Sequence, residues 1–297
     1  MIKLLPIKLA GLFLPILLSI FFCAAPRFIL EAAARDNRPA DDIEFGSWRS
    51  ELEGSLNFAN TGFDLRGDFK NEASFDYKTA MLLGYAYNIG YYSDINLRSN
   101  IIKNYGRLRA YAANNVLINN IGFGAGGVSN LIVDMRLSDV ELIASRELAA
   151  NERNGFIDLI YGVKAMRFSL DLIDGDFNMG NNYLRKAIVP LAGVRAKCKI
   201  NDNFKFYMQL YGGSAKTSSC GYKTADIDAG LEYHFTPREP EYKEIGDKPK
   251  AENFGLNQQT EWYIKLGYKE RYFRETAGAN VIKIGHSGPE IKFSARF

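Results

Sequence analysis

The sequence is poor in the residues on which much catalysis depends. Among 297 residues there are two histidines, three cysteines, two tryptophans and nine prolines. Two histidines, His234 and His286, leave few carriers for acid–base work, and neither a metal site nor any other cofactor is expected. An excess of one charge is lacking too. Lys and Arg number 37 against 34 Asp and Glu, too balanced to argue for nucleic acid or an acidic substrate. A second long apolar run is also missing. After the N-terminus no stretch approaches the ~20 apolar residues that a spanning helix needs.

The one apolar run lies between Leu9 and Phe22, interrupted by Gly11, Pro15 and Ser19, with Lys3 and Lys8 beside its start. A charged region followed by an apolar one reads as a secretory signal, here spanning 1–34. Ala32-Ala33-Ala34 before Arg35 offers the small-residue cleavage site. Cys23-Ala24-Ala25 is an earlier option, disfavoured by Pro26. A lipoprotein reading at Cys23 meets Phe22 where a small residue belongs. A retained anchor is the rival, but nothing later looks like a cytoplasmic domain. Residues 35–45 then form a polar leader and 46–297 a single all-β domain.

With 24% charged and 47% hydrophobic residues, hydropathy does not separate a soluble protein from a barrel with a polar interior; the phase of alternation does. From Gly288 to Phe297 the chain alternates strictly. Ile291, Phe293, Ala295 and Phe297 share one face, and Glu290, Lys292, Ser294 and Arg296 the other, so this is a strand with one apolar and one charged side. The same pattern recurs upstream. Ala192, Val194, Ala196, Cys198 and Ile200 alternate with Arg195, Lys197 and Lys199. Asn201-Asp202-Asn203 makes a turn, and Phe204, Phe206, Met208 and Leu210 follow in step. Pairing Ile200 with Phe204 puts Cys198 opposite Phe206 and Ala196 opposite Met208, a register that keeps both apolar rows on one face.

Further strands are expected at 47–58 (marked by Trp48, Leu52 and Leu56), 78–89, 93–103, 131–148, 155–172, 225–235 and 260–273. An irregularity is expected near Ser138-Asp139 and a bulge near Met166-Arg167, where the phase changes. The count is ten, with twelve or eight as alternatives. Stretches 59–77, 104–130, 173–186, 212–222 and 274–287 read as long loops at one end. The connections near 90, 149–154 and 201–203 are short turns at the other, and 236–256 is a long charged exception. Tyr87, Phe204, Phe206, Tyr233, Phe235, Trp262 and Phe297 fall on the apolar face near the short-turn end, as an interfacial aromatic girdle would.

The closing strand ending in Phe297, the hairpin pair from Leu191 to Phe235 and the Leu266-Gly267-Tyr268 strand centre resemble the small outer-membrane β-barrel proteins of double-membraned bacteria. That resemblance implies an antiparallel up-and-down transmembrane barrel, surrounded by outer-membrane lipid, with its C-terminus periplasmic. It also implies insertion by the barrel-assembly machinery, which would read Ile291, Phe293, Ala295 and Phe297. It implies no particular substrate.

The opposite face would line the lumen: Arg195, Lys197, Lys199, Lys205, Asp226, Asp228, Glu232, His234, Lys265, Lys292 and Arg296. Those charges could form a selectivity lining, or paired carboxylates for acid–base work. Interdigitated opposite charges are also what a narrow lumen needs to avoid burying unpaired ions, which makes a salt-bridged plug the plainer expectation. His286-Ser287 sits where outer-membrane acyl hydrolases place catalytic groups, but adjacent strand residues point oppositely, so no catalytic residue is assigned. The ten-stranded outer-membrane proteases use an acid and a histidine at the rim, and no Asp-x-His occurs here. Gly122-Phe-Gly-Ala-Gly-Gly127 matches a dinucleotide fingerprint only formally, since strand rather than helix follows it. Cys198 and Cys220 should lie at opposite ends, too far apart for a disulfide.

Function is therefore expected to be structural, or that of a narrow pore or a binder of small solutes, without catalysis. A lipid-modifying hydrolase is one alternative. Surface adhesion through 104–130 and 173–186, toward some surface ligand, is the other.

Overall fold

The computed structural model describes residues 42–60, 63–68, 73–90, 93–112, 116–118, 121–123, 127–151, 155–174, 180–201, 203–235 and 261–296. The expected signal, Cys23, segment 236–256 and Phe297 lie outside the described residues. In chain order the strands are β1 (Asp42–Trp48), β2 (Glu51–Asn60), β3 (Phe63–Asp68), β4 (Ala73–Gly90), β5 (Ser93–Ala112), β6 (Val116–Ile118) and β7 (Ile121–Phe123). They continue as β8 (Gly127–Asn151), β9 (Gly155–Asp174), β10 (Gly180–Lys199), β11 (Phe204–Lys216), β12 (Cys220–His234), β13 (Glu261–Ala277) and β14 (Asn280–Arg296).

Every pairing is antiparallel. The sheet runs β1-β4-β5-β8-β9-β10-β11-β12-β13-β14 and closes where β14 pairs β1. β2 continues the line of β1: it pairs the other half of β14, and the Arg49 N–H bridges the break by donating to the Pro289 carbonyl at 3.0 Å. At Gly54 the backbone has φ +149°, and a Cβ there would sit 2.1 Å from the Lys283 carbonyl oxygen. Only glycine lets β2 lie this close to β14. β3 pairs β2 and reaches β5 above the start of β4. The result is a closed ten-stranded barrel, with β2 and β3 raising part of its wall and β6–β7 forming a small hairpin of their own.

The sequence-derived register holds where it was most explicit: Cys198 faces Phe206 and Ala196 faces Met208. The turn there is fastened by Asn201, whose Oδ1 accepts from the N–H groups of Asn203 at 3.0 Å and Phe204 at 2.9 Å. The expected long loops need correction. Much of 59–77, 104–130, 173–186, 212–222 and 274–287 is strand, and β1 begins at Asp42, inside the expected leader. Their Asn, Gly and charged content suggested loops, yet Arg107, Lys186, Lys216 and Lys283 are strand residues exposed on the outer wall. The inward positions on the same strands carry Leu108, Tyr183, Tyr222, Ile282 and Ile284, all buried.

The expected bulge at Met166-Arg167 and irregularity at Ser138-Asp139 are both absent. Asp139 pairs Met166 and Ser138 pairs Arg167 in an unbroken ladder. What changes there is polarity. On β9 the outward side chains pass from Leu159, Tyr161 and Val163 to Arg167 and Asp171. The inward ones pass from Asp158 and Lys164 to Met166, Phe168, Leu170 and Leu172. β8 does the same in reverse order, with Leu131, Val133, Met135 and Leu137 inside the tall end and Asp139 and Glu141 inside the other half. Two irregularities in the sequence are thus one level on the barrel.

The barrel therefore has two stages. In the lower one, nearer the short turns, the outside is apolar and the inside charged. In the upper one the outside is polar and an apolar core fills the lumen, with Phe168 and Phe273 at 5.5 Å between ring centroids and Phe58 and Tyr183 also at 5.5 Å. Where water wets the wall, interior burial must supply the hydrophobic stabilisation.

Candidate functional site

The strands of the lower stage project their charges into one connected interior. Near the short-turn end, Arg296 holds Asp42 through two bonds, at 2.8 and 3.1 Å. Lys265 reaches Glu44 at 2.5 Å, while Lys197 and His234 both meet Glu232, at 2.8 and 2.5 Å. His234 also stacks on Tyr263 at 5.2 Å. One level up, Lys292 binds Asp228 and meets Glu290 at 2.7 Å, and Lys269 lies 3.5 Å from the same Glu290. Arg98 donates to Gln209 at 3.0 Å. Tyr207 lies across this level, its hydroxyl 2.5 Å from where a Cβ on Gly267 would be, so glycine there is a matter of space.

The top of the charged stage is the most enclosed. Arg271, 2% exposed, binds Asp139, meets Asp226 at 2.5 Å and reaches Glu141 at 3.3 Å. Lys164, 1% exposed, binds Asp226 and meets Glu141 at 2.8 Å, and the Tyr211 hydroxyl donates to Glu141 at 2.7 Å. To one side Arg195 bridges Asp158 and Asp94, each at 2.5 Å. β13 and β8 stand five places apart round the ten-strand circuit, so the Arg271 bonds cross the full width of the lumen.

The residues singled out in the sequence fall as follows. Asp226, Asp228, Glu232 and Lys292 are buried inside; Arg195, Lys197, Lys205, His234, Lys265 and Arg296 are inside and half-buried. Lys199 continues the same face as Arg195 and Lys197, opposite Lys205 in the ladder, and is exposed at the short-turn rim. Sequence reading missed Glu44, Arg98, Asp139, Glu141, Asp158, Lys164 and Arg271, and left Lys269 and Glu290, on the polar faces of their strands, out of the lumen set. Their alternation was visible: Asp139 and Glu141 interleave with Val140 and Leu142. What was invisible is which opposite strands they meet.

The girdle residues Tyr87, Phe204, Tyr233, Phe235 and Trp262 project outward at 38–50% exposure, with Phe206 half-buried among them. Phe204 and Tyr233 are ladder partners with ring centroids 4.9 Å apart. On the closing strand Ile291 and Phe293 are exposed, while Ala295 is buried between its ladder neighbours Trp262 and Ile43. An apolar belt with aromatic edges around a charged, paired interior is the arrangement lipid imposes on a closed sheet. The fold is that of the outer-membrane β-barrels.

No protein-family model and no curated protein sequence matches the chain. Among solved structures, the outer membrane protease OmpT of Escherichia coli is similar at 9% identity and TM-score 0.48, covering 91% of this chain and 99% of that one. Ail, the attachment invasion locus protein of Yersinia pestis, follows at 10% identity, TM-score 0.36, covering 88% and 99%. OprG of Pseudomonas aeruginosa gives 12%, 0.36, 88% and 97%. At such identities and scores the strands and the belt alone carry the fold, and what those proteins do stays with them.

The histidine flagged near the outer end is enclosed. His286 is 1% exposed; its Nδ1 bonds the Ser50 Oγ at 2.8 Å, and its ring meets Trp48 edge-on at 6.2 Å. Its chain neighbour Ser287 points the other way, as alternation requires. Higher still, Glu275 accepts from Tyr183 at 2.7 Å and Arg185 at 3.0 Å. Both Glu275 and Tyr183 lie beyond the belt. Burial raises the Glu275 carboxyl above its ordinary value although both donors act the other way; burial and then the bond to Glu275 raise the Tyr183 hydroxyl. Cys198 and Cys220 are unbridged and sit at opposite ends of the barrel.

Proposed function

We propose that the chain is an integral outer-membrane barrel with a closed lumen, structural in role, without catalysis or cofactor, that holds a tall polar wall above the outer leaflet. The observation that carries this is Arg271, buried at the lumen's centre and bonded to carboxylates on β8 and β12. Ions pass through water-lined space, and here the cross-section is occupied by paired side chains capped by an apolar core. The purified, heat-modifiable protein in a planar bilayer should give no steady single-channel openings. Steady openings whose ion selectivity shifts in Arg195→Gln would overturn the closed lumen and make the interior charges a pore lining.

A hydrolase reading has one observation in its favour, the Ser50–His286 bond, since a hydroxyl nucleophile needs a base in reach. Both groups are buried beside Trp48 and turned away from the lipid face, so a lipid ester has no approach to them. In this reading the short turns and the C-terminus are periplasmic, and the assembly machinery would grip the closing strand by Ile291 and Phe293.

Orientation has its own test. In a background with Cys198 and Cys220 replaced by Ser, Ser218→Cys sits exposed in the β11–β12 turn and Asn203→Cys exposed at the other end. On intact cells a membrane-impermeant maleimide should label only the first. Labelling of Asn203→Cys alone would invert the barrel.

A further inference from the structure

Inside the barrel every buried cation has a carboxylate or a polar acceptor. Outside, four cations gather on neighbouring strands. Just above the belt, β9 presents Arg167 and β10 presents Lys186 directly opposite each other. One row farther out, Lys103 on β5 faces Arg136 on β8. Like charges directly opposite on a sheet repel and cost stability. Among the described residues Arg136 pairs with Asp134 at 2.7 Å, whereas Arg167, Lys186 and Lys103 have no carboxylate partner. A shallow groove of about 600 Å³ opens at this place, with Ile101, Ser138, Arg167 and Lys186 along its upper row and Ser99, Val140, Ala165 and Ile188 in the row below. Ile188, at 70%, is the most exposed large apolar side chain among the described residues.

A cationic edge above an apolar floor, at the level where the wall changes from lipid-facing to water-facing, matches an amphiphile with an anionic head. We propose that this groove holds the phosphate of a membrane lipid between Arg167 and Lys186, with the acyl chains lying down over Ile188 and Val140. The inference rests on the membrane reading above. Arg supplies a forked donor and Lys a point charge, together suited to a tetrahedral phosphate. The anion would screen two cations that otherwise repel, and Ser138 adds a hydroxyl from the neighbouring strand.

The test uses the full barrel in phosphatidylcholine nanodiscs carrying a small fraction of phosphatidic acid, with lipids that stay bound counted by native mass spectrometry. The wild-type protein should retain phosphatidic acid over phosphatidylcholine. The double variant Arg167→Gln/Lys186→Gln should lose that preference by roughly tenfold, as expected for removing two solvent-exposed charge pairs. Lys216→Gln/Lys223→Gln, which removes two exposed lysines from β11 and β12, should keep it. Added inorganic phosphate should not compete, which separates a lipid site from a free-anion site. Equal retention by all three proteins would overturn the site, as would equal loss in the two double variants or displacement by free phosphate. Protein that stays outside the disc would overturn the membrane reading itself, and this site with it.

Discussion

Arg271→Met should lower the unfolding free energy of the barrel by roughly 3–5 kcal/mol, the cost of removing one partner from a buried ionic cluster. Arg271 is the only cation among the described residues bonded to Asp139, and it shares Asp226 and Glu141 with Lys164. Removing it leaves three carboxylates around one ammonium, none of them reached by water. The midpoint of urea unfolding, followed by heat-modifiable migration, measures the loss. Arg271→Met combined with Asp139→Asn should recover a large part of it, because the second change removes the charge that the first one strands. A single variant within about 1 kcal/mol of wild type would mean that these ions are solvated, and the closed lumen would fall with them.

Much of this was legible in the sequence because period two reports the two faces of a strand directly. The hairpin at Asn201, the in-phase rows on β10 to β12 and the inward set from Arg195 to Arg296 all follow from alternation alone. What alternation does not report is height. The strands were cut short wherever the outward residues turned polar, at 104, 173 and 274, since a change of outward polarity looks like the end of a strand. At Arg167 it looked like a bulge. On β9 the inward row becomes apolar at that point, and on β5, β9 and β13 alike the strand goes on past the change. The pairing of Arg271 with Asp139 was out of reach for another reason. The two are 132 positions apart and meet only because ten strands close into a circle, and nothing local in either segment encodes the partner.

The exchange of polarity can be measured on a single strand. β13 presents Leu266 outward at 58% exposure, Tyr272 outward three pleat repeats farther up, and Phe273 inward against Phe168. Leu266→Arg should cost about 2–4 kcal/mol, as an arginine facing lipid near mid-depth does. Tyr272→Arg, on the same face, should cost no more than about 1 kcal/mol, because that position has left the hydrocarbon; its ladder neighbours Ala225 and Gly285 leave room for a larger side chain. Phe273→Ala, one residue on, should cost about 3–5 kcal/mol through the cavity it opens in the upper core. The order large, small, large along eight residues is specific to a wall that changes solvent partway up. A soluble sandwich would tolerate arginine at both outward sites. A barrel spanned by lipid over its full height would reject both and would not depend on Phe273. Equal penalties at Leu266 and Tyr272 would therefore remove the two-stage barrel, and with it the boundary at which Arg167 and Lys186 are placed.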